Sequence, residues 1–499
     1  MAISKKIIKS TTQEILSHIA SPKAKPKTDQ LNALCSLLLE SKNVLLHQAA
    51  GWGKSAVYWT GAKILADSSN RMTLVVSPLK PLMNDQMLAA TSTGLRAALL
   101  NGTTEPEWVN TYQQCAAGMY DILFVTPEHL LRPDFIEQVL EKLRDKLGLL
   151  VIDEAHTIST WGHDFRLDYQ RITEITAKFP SVPVLATTAT ADDATCLDIA
   201  EQLSGETVVI RGNLELPSLH LAVINDMSSD HRIGFTKNFI KQRGGSGLVF
   251  ARTIENIKSI NTGLRYSGIN SKEYHAELDD DERIELEKAW LDGEIPVLVT
   301  STAFSMGMNK QDASWVVHLN SPISLKSLYQ EVGRVGRGGN EALSVVIPDS
   351  KTDGRALQTF PGKNLPNAIE LQSALTYVNE SMYPLTAYKL AELMRNGIKR
   401  ATLLLKALAK DEAIYQAGNG WRPTGTVWTF DQASYDRQLA ALRQDADLMK
   451  EYLNTEQCLM TFMRIGIGEH VPTDEKCGRC SNCKGHLPVG LNEYQKRVK

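Results

Sequence analysis

Residues 43–55 read NVLLHQAAGWGKS, an apolar strand pattern that runs directly into a glycine-rich turn and a Gly-Lys-Ser triplet. Glycines let backbone N–H groups approach phosphate oxygens, and a helix that starts here presents its positive end to them. In such loops the lysine reaches the β- and γ-phosphates and the hydroxyl holds Mg²⁺. Gln48 replaces the first glycine of the usual pattern, and Trp52 is bulky for this kind of turn. The candidate nucleotide ligands are Gly51, Gly53, Lys54 and Ser55.

Short apolar runs separated by helix-length segments continue on the C-terminal side of this loop. A first series of predicted strands comprises Asn43–His47, Thr73–Ser77, Ile122–Thr126, Leu147–Asp153 and Val184–Thr187. A second series comprises Leu248–Ala251, Val297–Thr300, Val316–Leu319 and Ser344–Ile347. Apolar strands that alternate with helices are typical of parallel sheets covered on both faces. The sequence therefore predicts an α/β fold with two sheet domains, residues 1–214 and 215–349, joined near Gly212–Pro217.

The pattern becomes helical after the second series of strands. Residues 350–366 contain prolines, glycines and charges, as a linker does. The next predicted elements are the helices Ala368–Asn379, Ala387–Arg395 and Ile398–Lys410, then two strands around a glycine turn in residues 413–424. This order is that of a winged helix, and an accessory helical bundle with a hairpin is the alternative. We expect a linker and winged-helix-like domain over 350–430 and a helical module with a short tail over 431–499.

Composition sets limits on the class of protein. The chain has 499 residues, 43% hydrophobic and 22% charged, which is ordinary for three or four globular domains. Neither an apolar run of about 18 residues nor a signal-peptide core interrupts the sequence. We expect a soluble cytoplasmic protein, associated with the nucleoid if the source is bacterial. Because 54 basic and 57 acidic residues leave a net charge of −3, any nucleic-acid surface must be local.

Four of the seven cysteines lie in the last tenth of the chain, at positions 458, 477, 480 and 483. Four thiolates with two close Cys-x-x-Cys spacings suit a tetrahedral structural Zn²⁺ site. A redox role or an iron–sulfur cluster is the alternative. The candidate metal ligands are Cys458, Cys477, Cys480 and Cys483. Loss of the metal is expected to unfold this module and to spare the two sheet domains.

Two carboxylates follow the strand pattern in Leu149–His156, which reads LLVIDEAH. Ligands of α/β sheets bind at the carboxyl ends of the strands. Asp153 is therefore predicted to hold Mg²⁺, and Glu154 to orient and deprotonate the water that attacks a γ-phosphate. In the second domain, Gln330–Arg337 reads QEVGRVGR and supplies two arginines that can reach the γ-phosphate across a cleft. The predicted reaction is nucleoside triphosphate hydrolysis.

Asp-Glu-Ala-His, the ATTATA segment and Gln-x-x-Gly-Arg-x-Gly-Arg together resemble the motifs of superfamily 2 helicases. More narrowly, AHTISTWGHDFR at 155–166 resembles the aromatic-rich loop of the RecQ family, and VVSPLKPLMNDQ, TPEHLL, YHAELDDDER and STAFSMGMNK occur in that family's order. The resemblance covers residues 25–349 densely. It implies two RecA-like domains and an ATP-dependent DNA helicase that moves 3′→5′ on single-stranded DNA and acts in repair or recombination. It also implies ATP, Mg²⁺ and Zn²⁺ as cofactors.

The resemblance assigns further roles to single residues. Gln30 would read the adenine edge, although Lys27 and Thr28 stand where the family usually has arginine and proline. Gln330 would sense the nucleotide, and of the two arginines Arg337 is the favoured arginine finger. The residues implied in domain coupling and phosphate binding are Thr188, Thr190, Gln330, Arg334 and Arg337.

DNA contacts are predicted at two places. Trp161, Phe165 and Arg166 in the aromatic-rich loop combine rings on which bases stack with a cation that attracts phosphate, the alternative being a buried aromatic cluster. Six basic residues face one acid between positions 384 and 410, and Lys399 and Arg400 are the DNA-binding candidates among them. The alternative for this basic face is a solvated helix surface.

The expected partners are single-stranded DNA, tailed or forked duplexes, and single-stranded-DNA-binding or repair proteins, with no membrane. A DNA-stimulated ATPase that acts as a clamp or remodeller without strand separation shares every ATPase motif and remains the alternative. An RNA helicase is disfavoured by the aromatic-rich loop. In the RecQ family the winged helix follows the zinc module, whereas here the candidate precedes it. Family preferences for branched or quadruplex DNA are therefore not carried over.

Overall fold

The first sheet contains seven strands. They are β1 (Asn43–His47), β2 (Met72–Val76), β3 (Ala97–Leu100), β4 (Ile122–Val125), β5 (Leu147–Ile152), β6 (Val184–Thr188) and β7 (Thr207–Arg211). Their spatial order is β3-β4-β2-β5-β6-β1-β7, and all neighbours pair in parallel. The computed structural model describes residues 2–78, 80–100, 108–158, 172–203, 205–225, 227–301, 304, 310–349 and 352–486.

The second sheet contains six strands. They are β8 (Leu219–Val223), β9 (Ser246–Phe250), β10 (Ser271–Tyr274), β11 (Val297–Thr300), β12 (Ala313–His318) and β13 (Ala342–Val346). The order is β10-β11-β9-β12-β13-β8, again parallel throughout. The two parallel sheets confirm the predicted fold class. The predicted boundary at 214/215 stays a prediction, and the sheets themselves end at Arg211 and begin at Leu219.

Helices cover both faces of each sheet. Those of the first half are α1 (Lys5–Ile19), α2 (Thr28–Leu38), α3 (Lys54–Ser69), α4 (Lys80–Ser92), α5 (Trp108–Ala116), α6 (Pro127–Leu130), α7 (Pro133–Phe135), α8 (Ile172–Thr176) and α9 (Asp193–Gln202). Those of the second half are α10 (Ser229–Arg243), α11 (Ile254–Tyr266), α12 (Asp280–Leu291), α13 (Leu325–Val332) and α14 (Asp353–Thr359). Successive β1 residues point to opposite cores, since Leu45 packs in one and Leu46 in the other.

The C-terminal region is mainly helical. Its elements are α15 (Ala368–Glu380), α16 (Ala387–Met394), α17 (Ile398–Lys410), β14 (Ile414–Ala417), β15 (Gly420–Pro423), α18 (Gln432–Asn454), α19 (Leu459–Gly466) and α20 (Ser481–Lys484). The predicted helices and the antiparallel hairpin β14–β15 are present. Whether this segment acts as a winged helix stays a prediction.

The predicted linker contains structure. Within residues 350–366, α14 is a helix whose first residue, Asp353, is buried and pairs with Arg252 at 2.9 Å. Asp353 also accepts hydrogen bonds from the backbone N–H groups of Ser321 and Asp349. This part of the chain is therefore packed on the second sheet domain, which corrects the expectation of a plain linker.

The C-terminal helices share a hydrophobic core with the second sheet. That core combines Leu221 and Val316 from the sheet with Met449 and Tyr452 from α18, and it includes the cysteine Cys480. A module that shares its core with a neighbour is expected to unfold with it, which corrects the expectation that loss of the metal spares the second sheet domain. Among the described residues, the helices lack the length and apolar character that crossing a bilayer requires.

Candidate active site between the two sheets

The predicted phosphate loop joins β1 to α3. Gly51 and Gly53 have φ angles of +73° and +99°, which side chains adopt only with strain, so glycine is needed at both positions. Lys54 begins α3, and its Nζ donates to the carbonyls of Gln48 at 3.0 Å and Ala49 at 3.1 Å. Burial lowers the pKa of Lys54. The loop thus curves around its own lysine at a helix N-terminus, the arrangement that accepts phosphate.

The unusual residues of the loop have partners. The Nε2 of Gln48, which replaces the first glycine, donates to Asp29 Oδ2 at 2.9 Å. The ammonium of Lys27 donates to the Trp52 carbonyl at 2.7 Å and lies 4.8 Å from the Trp52 ring centroid. Each of these two departures from the usual pattern therefore contacts the N-terminal end of α2. These bonds hold the start of α2 against the loop.

Gln30 lies beside the phosphate loop. Its side chain is buried, its Nε2 donates to the Gly53 carbonyl at 3.1 Å, and its Oε1 accepts from the Lys27 N–H at 2.9 Å. An amide has two donors and two acceptor sites, so half of its capacity remains for a base.

Asp153 follows β5 directly and is held by two side chains. Its Oδ1 accepts from Thr187 Oγ1 at 2.6 Å, and its Oδ2 accepts from Gln86 Nε2 at 3.2 Å. Burial, together with the charge of Glu154, raises the pKa of Asp153. A divalent cation would restore the ionised form, and Ser55 in the first turn of α3 offers the second protein ligand. Sequence reasoning missed Gln86 and Thr187, although both lie in quoted motifs.

Glu154 starts a chain of contacts that crosses between the sheets. Its Oε2 lies 3.3 Å from His156 Nδ1, which lies 3.1 Å from Thr188 Oγ1. Thr188 Oγ1 accepts from the Thr190 N–H at 3.2 Å, and Gln330 Nε2 donates to Thr190 Oγ1 at 3.5 Å. Burial would raise the pKa of Glu154, but the hydrogen bond from His156 and the charge of Lys54 hold it below its usual range. Glu154 is therefore ionised, as a base must be.

The two predicted arginines reach the site from the end of α13. Arg334 is buried, and its Nε and Nη1 have no hydrogen-bond partner among the described residues. Burial and the neighbouring Arg337 lower the pKa of Arg334 to about 9, while the charge of Glu154 opposes the shift. Arg337 donates from Nε to the Gly333 carbonyl at 3.0 Å, and its side chain lies beside Gly51 of the phosphate loop. Both arginines thus face the first domain.

The four candidate zinc ligands come together. The sulfurs of Cys458, Cys477, Cys480 and Cys483 all lie within 4.8 Å of one another. The Cys458–Cys480 and Cys477–Cys483 distances are 3.9 and 4.0 Å. Tetrahedral bonds of about 2.3 Å give sulfur separations of about 3.8 Å, so the set fits zinc. The Cys477 and Cys480 N–H groups also donate to cluster sulfurs, which stabilises thiolates.

The DNA-binding candidates have different outcomes. Trp161, Phe165 and Arg166 lie outside the described residues, so their role stays a prediction. Lys399 is exposed at the start of α17. Arg400 instead pairs with Glu370, with Nε–Oε1 and Nη2–Oε2 distances of 2.9 and 2.5 Å, and its Nη groups also donate to the Asn364 and Leu365 carbonyls. The structure therefore gives Arg400 intramolecular partners, and its DNA contact stays a prediction.

Comparison with known families agrees with this geometry. The chain matches the family DEAD/DEAH box helicase over residues 27–199 and the family Helicase conserved C-terminal domain over residues 231–339. The first match covers the phosphate loop and the carboxylates, and the second covers the arginines. A phosphate loop and carboxylates on one parallel sheet, faced by arginines from a second, define a superfamily 2 helicase.

Sequence relatives narrow the class. The chain is 33% identical to the ATP-dependent DNA helicase RecQ of Pasteurella multocida over 62% of this chain and 48% of the relative, and 31% identical to the same-named protein of Haemophilus influenzae over 69% and 54%. It is 30% identical to the ATP-dependent helicase SGS1 of Saccharomyces cerevisiae over 68% and 24%. The chain belongs to the RecQ family. The matched part spans about half or less of these relatives' length.

Solved structures show the same fold. The DUF1998 helicase MrfA bound to DNA and AMPPNP gives a TM-score of 0.59 at 18% identity, over 86% of this chain and 63% of that one. Saccharomyces cerevisiae Dbp5 bound to RNA and ADP BeF3 gives 0.56 at 18% identity, over 70% and 90%. Because one neighbour holds DNA and the other RNA, the fold alone does not select the nucleic acid.

Proposed function

We propose that the chain is an ATP-dependent DNA helicase that moves 3′→5′ on single-stranded DNA and unwinds duplexes as it hydrolyses ATP. The observation that best supports ATP hydrolysis is the buried guanidinium of Arg334. Two of its nitrogens lack hydrogen-bond partners among the described residues. A buried guanidinium with unsatisfied donors is costly, and a γ-phosphate between the domains would supply the missing acceptor. DNA as the substrate is supported by the names of the relatives.

The residues divide the chemistry between two domains. Lys54 and the loop N–H groups bind the phosphates, and Ser55 and Asp153 would hold Mg²⁺, which would neutralise charge on the phosphate oxygens. Glu154 accepts the proton of the attacking water. Arg334 and Arg337 stabilise the transition state from the second domain. The sequence favours Arg337 as the arginine finger, but the unpaired nitrogens give Arg334 the stronger case.

Contact between the domains links hydrolysis to motion. The Gln330–Thr190 hydrogen bond joins the arginine-bearing helix to the chain of contacts that ends at Glu154. A Cβ added at Gly333 would lie 2.7 Å from the Ala50 Cβ, so α13 touches the phosphate loop closely. We propose that nucleotide binding closes the contact between α13 and the phosphate loop and that product release opens it. This cycle would move the DNA in steps.

Strand displacement on 3′-tailed, 5′-tailed and blunt duplexes tests the helicase directly, with ATP turnover measured beside it. We expect displacement of the 3′-tailed duplex only, with turnover stimulated by single-stranded DNA more than by RNA. Stimulated turnover without displacement of any duplex would establish the clamp or remodeller in its place. Greater stimulation by RNA would overturn DNA as the substrate.

The predicted aromatic-rich loop is proposed to report DNA to the catalytic carboxylates. Trp161→Ala or Phe165→Ala should then reduce DNA-stimulated turnover more than DNA-free turnover. Equal loss of both rates would indicate a packing role for the rings.

We also propose that the four cysteines hold one structural Zn²⁺. Four thiolates close the coordination sphere and leave no position for water, so the metal supports the fold and takes no part in catalysis. Elemental analysis of protein purified without chelators should find one zinc per chain. Iron with visible absorbance would establish an iron–sulfur cluster instead.

A further inference from the structure

Lys326 lies in a junction of three parts of the chain. It is the second residue of α13, four positions before Gln330, and it is 4% exposed. Its Nζ lies 3.1 Å from Asp192 Oδ2 and 3.6 Å from Asp445 Oδ1. Asp192 caps α9 in the first domain, and Asp445 lies on α18 of the C-terminal region. One ammonium therefore joins both sheet domains and the helical module.

Other contacts bring the C-terminal module to the same point. The backbone at Gly468 lies so close to the first domain that a Cβ there would be 2.4 Å from the Asp192 Cα. His470 Nε2 lies 2.9 Å from Asp193 Oδ2 at the start of α9. On the other side, a Cβ at Gly466 would lie 2.3 Å from the Leu325 Cδ2 of α13. The module thus touches the first domain two residues beyond Thr190.

Lys326, Asp445 and Asp192 do not all belong to the same domain. Lys326 and Asp445 belong to α13 and α18, which pack together on the shared core of the second domain. Asp192 comes from the first domain, so domain opening separates it from the other two. Burial raises the pKa of Asp445 despite Lys326, and the charge of Asp192 adds to that rise. The lysine attracts Asp192, whereas Asp445 competes for the lysine and repels Asp192.

We infer that Lys326 is a positioning residue that holds the nucleotide site closed, and that Asp445 on the C-terminal helix weakens this hold. The inference rests on the proposed ATPase, whose Thr190–Gln330 contact lies between the junction and the site. Because the closed form contains the complete site, it binds ATP more tightly than the open form. Lys326 therefore favours ATP binding, and Asp445 keeps the closed state reversible.

The test is that substitutions at Lys326 and at Asp445 should change the KM for ATP in opposite directions. In the full chain, Lys326→Met should raise the KM for ATP roughly tenfold, with a smaller change in kcat, and Lys326→Arg should restore most of the affinity. Asp445→Asn should lower the KM, because the lysine then faces Asp192 alone. Lys258→Met is the matched control, since Lys258 pairs with Glu277 on the exposed surface of the second domain and should leave KM unchanged.

Hydrogen exchange gives a readout that does not need turnover. The Thr195 and Cys196 N–H groups donate to the Asp192 side chain and carbonyl, and Lys326→Met should speed their exchange whereas Asp445→Asn should slow it. An unchanged KM and exchange in Lys326→Met, or a KM that rises in Asp445→Asn as well, would overturn the inference. Absence of ATP turnover in the parent protein would refute the proposed function separately, and exchange at α9 would still decide the junction.

Discussion

Arg334 should have opposite effects on stability and on catalysis. The guanidinium is buried, and two of its nitrogens lack hydrogen-bond partners among the described residues. Without nucleotide this charge destabilises the folded chain, whereas with nucleotide it binds the γ-phosphate. Replacing it with methionine, which fills a similar volume, should therefore stabilise the protein and inactivate it.

The size of the effect follows from the pKa. The fall of the Arg334 pKa from its ordinary value to about 9 corresponds to roughly 5 kcal/mol of unfavourable environment for the charged form. Methionine recovers part of this, so we expect the free energy of unfolding to rise by about 2 kcal/mol. That gain raises the melting temperature of a domain of this size by about 4–8 °C. Loss of the transition-state contact should lower kcat by roughly 10³-fold.

Thermal unfolding without nucleotide and DNA-stimulated ATP turnover measure the two effects. A non-hydrolysable ATP analogue should stabilise the parent more than Arg334→Met, because only the parent gains the new ion pair. Arg337→Met is the comparison variant: its Nε already donates to the Gly333 carbonyl, so its removal should raise the melting temperature less than Arg334→Met does. The reasoning would be refuted if Arg334→Met lowered the melting temperature, or if it kept most of the turnover.

Three further perturbations address the base, the metal and the DNA surface. His156→Ala should move the acidic limb of the kcat profile to higher pH, because the neighbouring imidazole that lowers the pKa of Glu154 is lost. An unchanged acidic limb would show that His156 does not act on the base. Cys458→Ser or zinc chelation should lower the melting temperature of the second sheet domain as well as that of the module, since they share a core; a first-domain transition that moved equally would contradict this. Lys399→Ala should reduce the salt slope of duplex binding by about one unit with stability unchanged, whereas Arg400→Ala should lower stability more than the slope; equal slopes in Lys399→Ala and the parent would make α17 a solvated helix.

The central strands were predictable because their local pattern matches their environment. β1 and β11 begin and end at the predicted residues, because strands buried on both faces are mostly apolar. The edge strands β3, β7 and β10 were not predicted. β10 reads SKEY, and an edge strand has one open side where polar residues are tolerated. Such strands form because the neighbouring strand pairs with them, which a local pattern does not record.

In the candidate site, too, local motifs were predictable and long-range contacts were not. The loop around Lys54 and the carboxylate pair at the end of β5 are local motifs, so sequence alone located them. Gln86 and Lys326 were missed because their roles depend on partners 67 and 134 positions away in the chain. The ion pair of Arg400 was also missed, because its partner Glu370 lies on another helix. Charge counts along a segment omit partners that tertiary folding supplies.

The most direct test of the composite site is the turnover of the Glu154→Gln variant at saturating single-stranded DNA, with ATP–Mg²⁺ binding measured on the same preparation. The amide keeps the shape of the carboxylate and loses the base, so binding should stay within about twofold of the parent while turnover falls by roughly 10²-fold or more. Turnover near the parental rate with normal binding would show that Glu154 is not the base. It would also contradict the assignment of ATP hydrolysis to the site between the two sheet domains.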